Sequence, residues 1–175
     1  RDRVQRGVND HTILDLLDHF RGSGHTVRLI EFMDVGNVNH WESSQVVPSA
    51  EWVEAIQRKW PISPIARDNP AETANRYVYD DGQGEVGFIS SITEPFCGGC
   101  TRARITADGL LYTCLFASRG TNLMPMIRRN DDIADLQASI TKIWNGRVDR
   151  YSELRGKRAT AGSERAKVEM YRIGG

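Results

Sequence analysis

The sequence predicts an α/β fold, made of the last units of an incomplete (β/α) barrel over residues 1–60 and an antiparallel α+β domain over residues 61–175. Two observations carry the first half. An amphipathic helix passes through a short glycine turn into a nearly continuous apolar strand, and a second amphipathic helix follows. Helices alternating with buried strands are the pattern of a parallel sheet. One observation carries the second half: two hairpin sequences with glycine-centred turns, which need no helical crossover.

The first helix is read over residues 9–21, with Ile13, Leu14, Leu16, Leu17 and Phe20 on its apolar face and Asn9 or Asp10 as its cap. Gly22-Ser23-Gly24 ends it. Val27, Leu29, Ile30, Phe32 and Met33 then form a run suited to a strand covered on both faces. A second helix opens at Pro48 and runs to about Lys59, with Ser49 as N-cap and Trp52, Val53, Ile56 and Trp60 facing inward. The stretch PISPIARDNPAE reads as proline-rich and irregular. RYVYDDGQGEVGFISSI reads as strand, turn, strand, reversing at Asp81-Gly82 or Gln83-Gly84. RARITADGLLYTCLF is a second hairpin turning at Asp108-Gly109. Residues 130–145 return to helix, with Ile133, Leu136, Ile140, Ile143 and Trp144 on one face, and a short helix is expected near 147–155. Residues 157–167 are polar, rich in small side chains and expected to be mobile. The two helix–strand units at the start are too few to close a barrel, and the chain begins at Arg1 without Met; the expectation is a piece of a larger protein.

Composition narrows the function. Lys plus Arg (23) equals Asp plus Glu (23), which argues against a nucleic-acid or polyanion coat but permits a small basic pocket. No stretch approaches the roughly 20 apolar residues that span a bilayer, and no apolar segment follows RDRVQRGVND as in a signal peptide. The expected setting is soluble and cytoplasmic.

The three cysteines lie within 18 residues of one another. An odd number fits a disulfide framework poorly. Cys97 and Cys100 form a C-x-x-C on two glycines, which let the backbone wrap close to a metal centre. The Asp108-Gly109 hairpin fills the 13 residues between Cys100 and Cys114, so the chain returns Cys114 to the level of the pair. None of the four histidines (His11, His19, His25, His40) is nearby to complete a four-ligand zinc site. Three thiolates suit a four-iron cluster with one open iron. Spacing alone leaves a cluster, a zinc site and free or redox thiols all open.

Arg102 and Arg104 follow the C-x-x-C at strand spacing and would project from one face, suited to a polyanion such as a triphosphate. Pairing with carboxylates across the hairpin is the plainer alternative. Arg28 interrupts the apolar run of the Val27–Met33 strand, where an unpaired charge is costly, and is read as lining a cavity. Asp34-Val35-Gly36 marks the C-terminal end of that strand, the side on which α/β sheets bind ligands. The terminal Gly174-Gly175 is slim enough to thread into a site.

FCGGCTRARITADGLLYTCLF resembles the C-terminal cluster motif of the GTP 3′,8-cyclases, radical S-adenosylmethionine enzymes of molybdenum cofactor biosynthesis. QRGVND, VRLIEFMDVG and the final Gly-Gly resemble other segments of that family in the same order, so the likeness runs from about Gln5 to Gly175. The resemblance implies a partial barrel and two [4Fe-4S] clusters in the full enzyme. The N-terminal cluster cleaves S-adenosylmethionine to a radical that abstracts hydrogen from C3′ of GTP; the carbon radical attacks C8, giving 3′,8-cyclo-7,8-dihydro-GTP. The C-terminal cluster, on Cys97, Cys100 and Cys114, holds the guanine through its open iron. It further implies that Arg102 and Arg104 bind GTP, that Arg28 lines the S-adenosylmethionine and substrate cavity, and that Gly174 and Gly175 reach into the active site and are needed for activity. The implied partners are the N-terminal half of the enzyme, a second copy in a homodimer and, downstream, cyclic pyranopterin monophosphate synthase; no nucleic acid and no membrane are expected. The family's C-x3-C-x2-C is absent, since all three cysteines belong to the other motif, so this chain alone is expected not to cyclise GTP. A 5′-deoxyadenosine product from the chain would contradict that. The Gly99 position often carries a polar residue in the family. Two rivals stand beside this reading: an auxiliary-cluster domain for peptide modification, which usually has more cysteines, and a zinc-binding protein-interaction module, which needs a fourth ligand.

Overall fold

The apolar run after Gly24 forms the strand it predicts, Val27–Glu31 (β2), in the computed structural model, which describes residues 2–69, 71–129, 132–154 and 168–173. β2 lies between two parallel partners, Asp2–Val4 (β1) and Glu85–Ile89 (β5). Asn75–Tyr79 (β4) returns antiparallel to β5, and Ile62–Ile65 (β3) pairs antiparallel with β4. The result is a mixed five-stranded sheet in the order β1-β2-β5-β4-β3. A separate antiparallel sheet holds Arg104–Ile105 (β6), Leu110–Tyr112 (β7) and Thr121–Asn122 (β8). The fold is mixed α/β.

The chain divides into two compact units, residues 1–34 with 41–99, and residues 35–40 with 100–175. Residues 61–99, grouped by the sequence with the antiparallel half, pair through β5 with β2 and fall in the first unit. Strand pairing decides this: β5 finds its parallel partner 59 residues back, with Val86 opposite Val27 and Phe88 opposite Leu29, an offset set by register and not by any local signal.

The core of the first unit sits on one face of the five-stranded sheet. Leu29, Val86, Phe88 and Tyr79 meet Ile13 and Leu17 of Ile13–Phe20 (α1) and Ile56 of Ser49–Lys59 (α2), each at most 2% exposed. Trp52, Val53 and Trp60 pack against this core as their spacing predicts. The first helix begins in a 3-10 turn, Asp10–Thr12, rather than as an α-helix from residue 9. Asn9 stands at the N-cap of that turn but makes no side-chain cap there, and Asp10 lies inside it. Asn9 Oδ1 accepts from the Gln5 N–H at 2.9 Å and Asp10 Oδ1 from the Gly7 N–H at 3.0 Å, so both close the turn that precedes the helix. Gly22 and Gly24, at φ of 75° and 79°, end it as expected.

Ser49 is the first residue of α2 and not its N-cap, which is Pro48. The cap function passes to Glu31 at the end of β2. Its Oε1 accepts from the Ser49 N–H at 2.9 Å and the Ser49 hydroxyl at 3.1 Å, and from the Thr93 hydroxyl at 2.5 Å. Its Oε2 accepts from the backbone N–H groups of Ile92 at 2.8 Å and Thr93 at 2.9 Å. Glu31 is 2% exposed, and this one carboxylate joins β2, the start of α2 and the turn after β5.

Both predicted hairpins form. The first turns through Gly82 and Gly84, at φ of 75° and 101°, and the second through Gly109 at φ of 78°. A methyl group on Gly109 would also strike the Met124 side chain, so two constraints select glycine there. The PISPI stretch corrects the irregular reading: it is β3, an edge strand, the position in which a sheet tolerates Pro64. Met124–Arg128 (α3) and Ile133–Asn145 (α4) follow, and the Asp132 carboxylate caps α4 by accepting from the Ala134 N–H at 3.3 Å. The apolar stripe of α4 is only half-buried, and its first member, Ile133, is exposed. The short helix expected near 147–155 starts later: residues 147–150 are non-helical and 151–154 helical. Residues 157–167 and Gly174-Gly175 lie outside the described residues.

Tyr79 gives the first unit a pH response. Burial holds its phenol above the usual value, Arg21 pulls it down and Asp18 pushes it up. A tyrosine whose folded value is raised stabilises fully below the unfolded value of about 10 and loses that contribution as pH climbs through the folded value. The urea midpoint of the native chain is therefore expected to fall more steeply above about pH 10 than that of Tyr79→Phe. Parallel alkaline slopes for the two proteins would remove Tyr79 as the cause.

Candidate functional site

The second unit gathers four of the residues singled out from the sequence. Cys100 precedes β6, Arg104 opens it, and Cys114 follows β7 with one residue between, so the hairpin returns the chain as the spacing predicts. Arg104 is half-buried, and the charges of both Cys100 and Cys114 act on it. Burial and the like charge of Arg102 hold Arg104 below the usual guanidinium range, and the two sulfurs oppose them. Arg102 is exposed and donates from Nη2 to the Cys100 sulfur at 3.2 Å. The strand starts only at Arg104, so the two arginines are not a same-face pair on one strand. They converge because Arg102 turns back to Cys100.

Electrostatics favours a thiolate at Cys100. Burial raises the thiol, but hydrogen bonds from the Arg102 backbone and guanidinium, with the charges of Arg102 and Arg147, outweigh it and hold the value below that of an ordinary cysteine. The thiolate is the form that ligates metals and clusters. Cys114 accepts a long hydrogen bond, 3.5 Å, from the Phe116 N–H.

Cys97, Cys100 and Cys114 are all free thiols and all half-buried. Cys97 falls within the first unit, Cys100 and Cys114 within the second. Among the described residues no three His, Cys, Asp or Glu side chains are gathered as ligands for a metal ion. The chemistry of the donor set, three unoxidised sulfurs with one held toward thiolate, fits a thiolate-bound cluster. Gly98 has open space where a side chain would stand, so packing within the chain does not demand glycine there.

Arg28 belongs to the first unit. Its alternate position along β2 turns it away from the Leu29 core face, onto the same face as Gly87 and Arg76 in the strand register. A Cβ on Gly87 would lie 3.3 Å from Arg28 Cγ, so the arginine stem occupies the space that glycine leaves. Arg76 pairs with Asp68 at 3.6 Å and Glu72 at 3.7 Å. A cleft of about 330 Å³ beside α2, bordered by Arg6, His11, Glu51, Trp52 and Arg58, holds none of the site residues predicted from sequence.

Sequence reasoning missed Arg147. Its Nη2 donates to the Cys100 carbonyl, and its guanidinium lies 3.6 Å from the centre of the Trp144 ring. Nothing in the local pattern marks it, because its partner is 47 residues earlier.

The Molybdenum Cofactor Synthesis C family model matches residues 25–153. A GTP 3′,8-cyclase of Xanthomonas campestris pv. campestris (strain B100) is 48% identical over 172 residues, covering 98% of this chain and 49% of that protein. A GTP 3′,8-cyclase of Acidothermus cellulolyticus is 46% identical over 194 residues, covering 98% and 54%. One from Synechococcus sp. (strain CC9605) is 45% identical over 172 residues, covering 98% and 48%. The chain spans about half the length of the curated relatives it matches. No helix among the described residues is long and apolar enough to cross a membrane.

Proposed function

The chain belongs to the Molybdenum Cofactor Synthesis C family, and from that premise we propose that it is the cluster- and GTP-binding part of a GTP 3′,8-cyclase. The observation that carries this reading is the convergence of Cys100, Cys114, Arg102 and Arg104 in the second unit. Cys97, Cys100 and Cys114 would hold a [4Fe-4S] cluster. When bound, that cluster supplies an open iron, a Lewis-acidic point of attachment for the guanine.

The chain's own side chains do the rest. Arg102, with Arg147, favours the thiolate at Cys100, and Arg102 and Arg104 supply two positive charges that would attract the triphosphate. Arg28 presents its guanidinium on the sheet face opposite the core, where it would line the cavity for S-adenosylmethionine and substrate. Among the described residues no hydrogen bond or ion pair occupies that guanidinium. β1, α1, β2 and α2 would be the last units of a partial barrel. Gly174 and Gly175 enter through the family resemblance alone, as the end that reaches the active site. The residues that would hold the cluster for S-adenosylmethionine cleavage are not among the three cysteines, so turnover requires cysteines from beyond this chain.

Two measurements test this. Anaerobic reconstitution with iron and sulfide is expected to give about four irons per chain and a broad visible band. One zinc per chain and a colourless protein would instead support the interaction module. With the cluster in place, Arg104→Ala is expected to weaken GTP binding by about 2 kcal/mol, roughly thirtyfold, with iron content unchanged. Equal affinity in the variant would take Arg104 out of the site.

A further inference from the structure

Residues 147–151 touch both cysteine-bearing segments of the second unit, using every second side chain. Arg147 donates to the carbonyl of Cys100. The Asp149 carboxylate accepts from the Thr113 hydroxyl, next to Cys114 in the chain. The Tyr151 ring stacks on Phe116, two residues beyond Cys114, with centroids 4.8 Å apart and planes at 12°. Val148 and Arg150 between them are exposed, Val148 at 88%. Residues 147–150 are non-helical and alternate in exposure, as extended backbone does, and Tyr151 opens the helical residues that follow.

The hairpin between the two cysteines is short. β6 has two residues, β7 has three, and two residue pairs are in register between them. A ribbon of that size is marginal alone, and the third strand, β8, supports it only along β7. Cys100 stands before its first strand and Cys114 after its second, so the ladder itself fixes neither. A contact from outside the hairpin to both ends would.

We propose that residues 147–151 are a strap that fixes Cys100 and Cys114, with Arg147, Asp149 and Tyr151 as its positioning residues. Arg147 is braced from behind by Trp144 in the last turn of α4, which ties the strap to that helix. The value of the strap for cluster assembly rests on the function proposed above; the strap as a device that holds two thiols does not.

The test uses the whole 175-residue chain, reduced and metal-free, with maleimide labelling followed at each cysteine by mass spectrometry. Cys97, in the other unit, is the internal reference. Tyr151→Ala is expected to speed Cys114 labelling about fivefold, the effect of one lost aromatic stack, and Asp149→Ala to act in the same direction. Tyr151→Phe retains the ring and is expected to label like the native chain, as is the outward-facing Val148→Ala. Tyr151→Leu keeps bulk without the stack and answers the question where Tyr151→Ala does not fold. For Arg147→Ala, labelling of Cys100 is read above the thiol titration range, so that ionisation does not differ between variants.

An unchanged Cys114 rate in Tyr151→Leu, or an equal rise in Val148→Ala, would overturn the strap. Reconstitution then separates it from the cluster reading. Full iron loading of the native chain, with Tyr151→Leu neither labelling faster nor losing iron, sinks the strap and leaves the cluster. The expected labelling pattern in a native chain that takes up no iron sinks the cluster and leaves the strap.

Discussion

Cys114→Ala is expected to abolish iron–sulfur retention, lowering iron from about four per reconstituted chain to near none and removing the visible band. The size of the effect follows from the number of ligands. Three thiolates are the whole protein complement of an open-iron cluster on this chain, and the sequence offers no fourth cysteine as a substitute. Folding is expected to survive, because Cys114 is half-buried and lies outside the hydrophobic core. Circular dichroism on the same sample separates loss of ligation from loss of structure. Retention of the native iron content by a folded variant would exclude Cys114 as a ligand.

Glu31→Ala should cost the first unit about as much stability as truncating one of its fully buried aromatic side chains. The carboxylate accepts from three buried or part-buried backbone N–H groups, those of Ser49, Ile92 and Thr93, and from the hydroxyls of Ser49 and Thr93. Alanine leaves these donors without an acceptor in a site closed to water, at about 1–3 kcal/mol for each group that finds no replacement. Relaxation recovers part of that, so a net loss of about 4 kcal/mol is expected. Glu31→Gln keeps the shape but turns an amide N–H2 toward backbone donors, for about 2 kcal/mol. Urea unfolding followed by fluorescence of Trp52 and Trp60 measures both. With a slope of about 2 kcal/mol per molar, the alanine variant should move the midpoint by about 2 M. A shift within experimental error would mean that the five hydrogen bonds do not hold the unit together.

The parts of this fold that the sequence made legible are those set by local pattern. The Val27–Glu31 strand and the Gly82 and Gly109 turns were readable because apolar runs and glycine at positive φ act over a few residues. The C-x-x-C and the arginines beside it are visible as local sequence, but Arg102 precedes β6, so the expected same-face pair on one strand does not form. What escaped was long-range. Glu31 reads as a polar interruption of an apolar strand, and its meaning appears only when residues 18 and 61–62 positions later arrive at it. β3 was hidden by Pro64, which local rules treat as a breaker and an edge strand accepts. Ile133 fits the periodicity of α4 yet is exposed, since periodicity describes one helix and burial requires a neighbour. Arg147, Asp149 and Tyr151 have polar, unperiodic surroundings and matter through partners 47, 36 and 35 residues away (151 less 116 gives the last).

The five-stranded sheet has two unlike borders. At β3, Pro64 has no N–H to offer, so a further strand would meet a broken ladder. At β1, no strand lies beyond Asp2–Val4 among the described residues, and its outer side carries no proline. The sheet therefore has a direction of growth. Strands can be added on the β1 side, continuing the parallel run of β1, β2 and β5, while the antiparallel side is finished. A strand added to this sheet would therefore pair more readily at β1 than at β3, which leaves one adhesive border to protect rather than two.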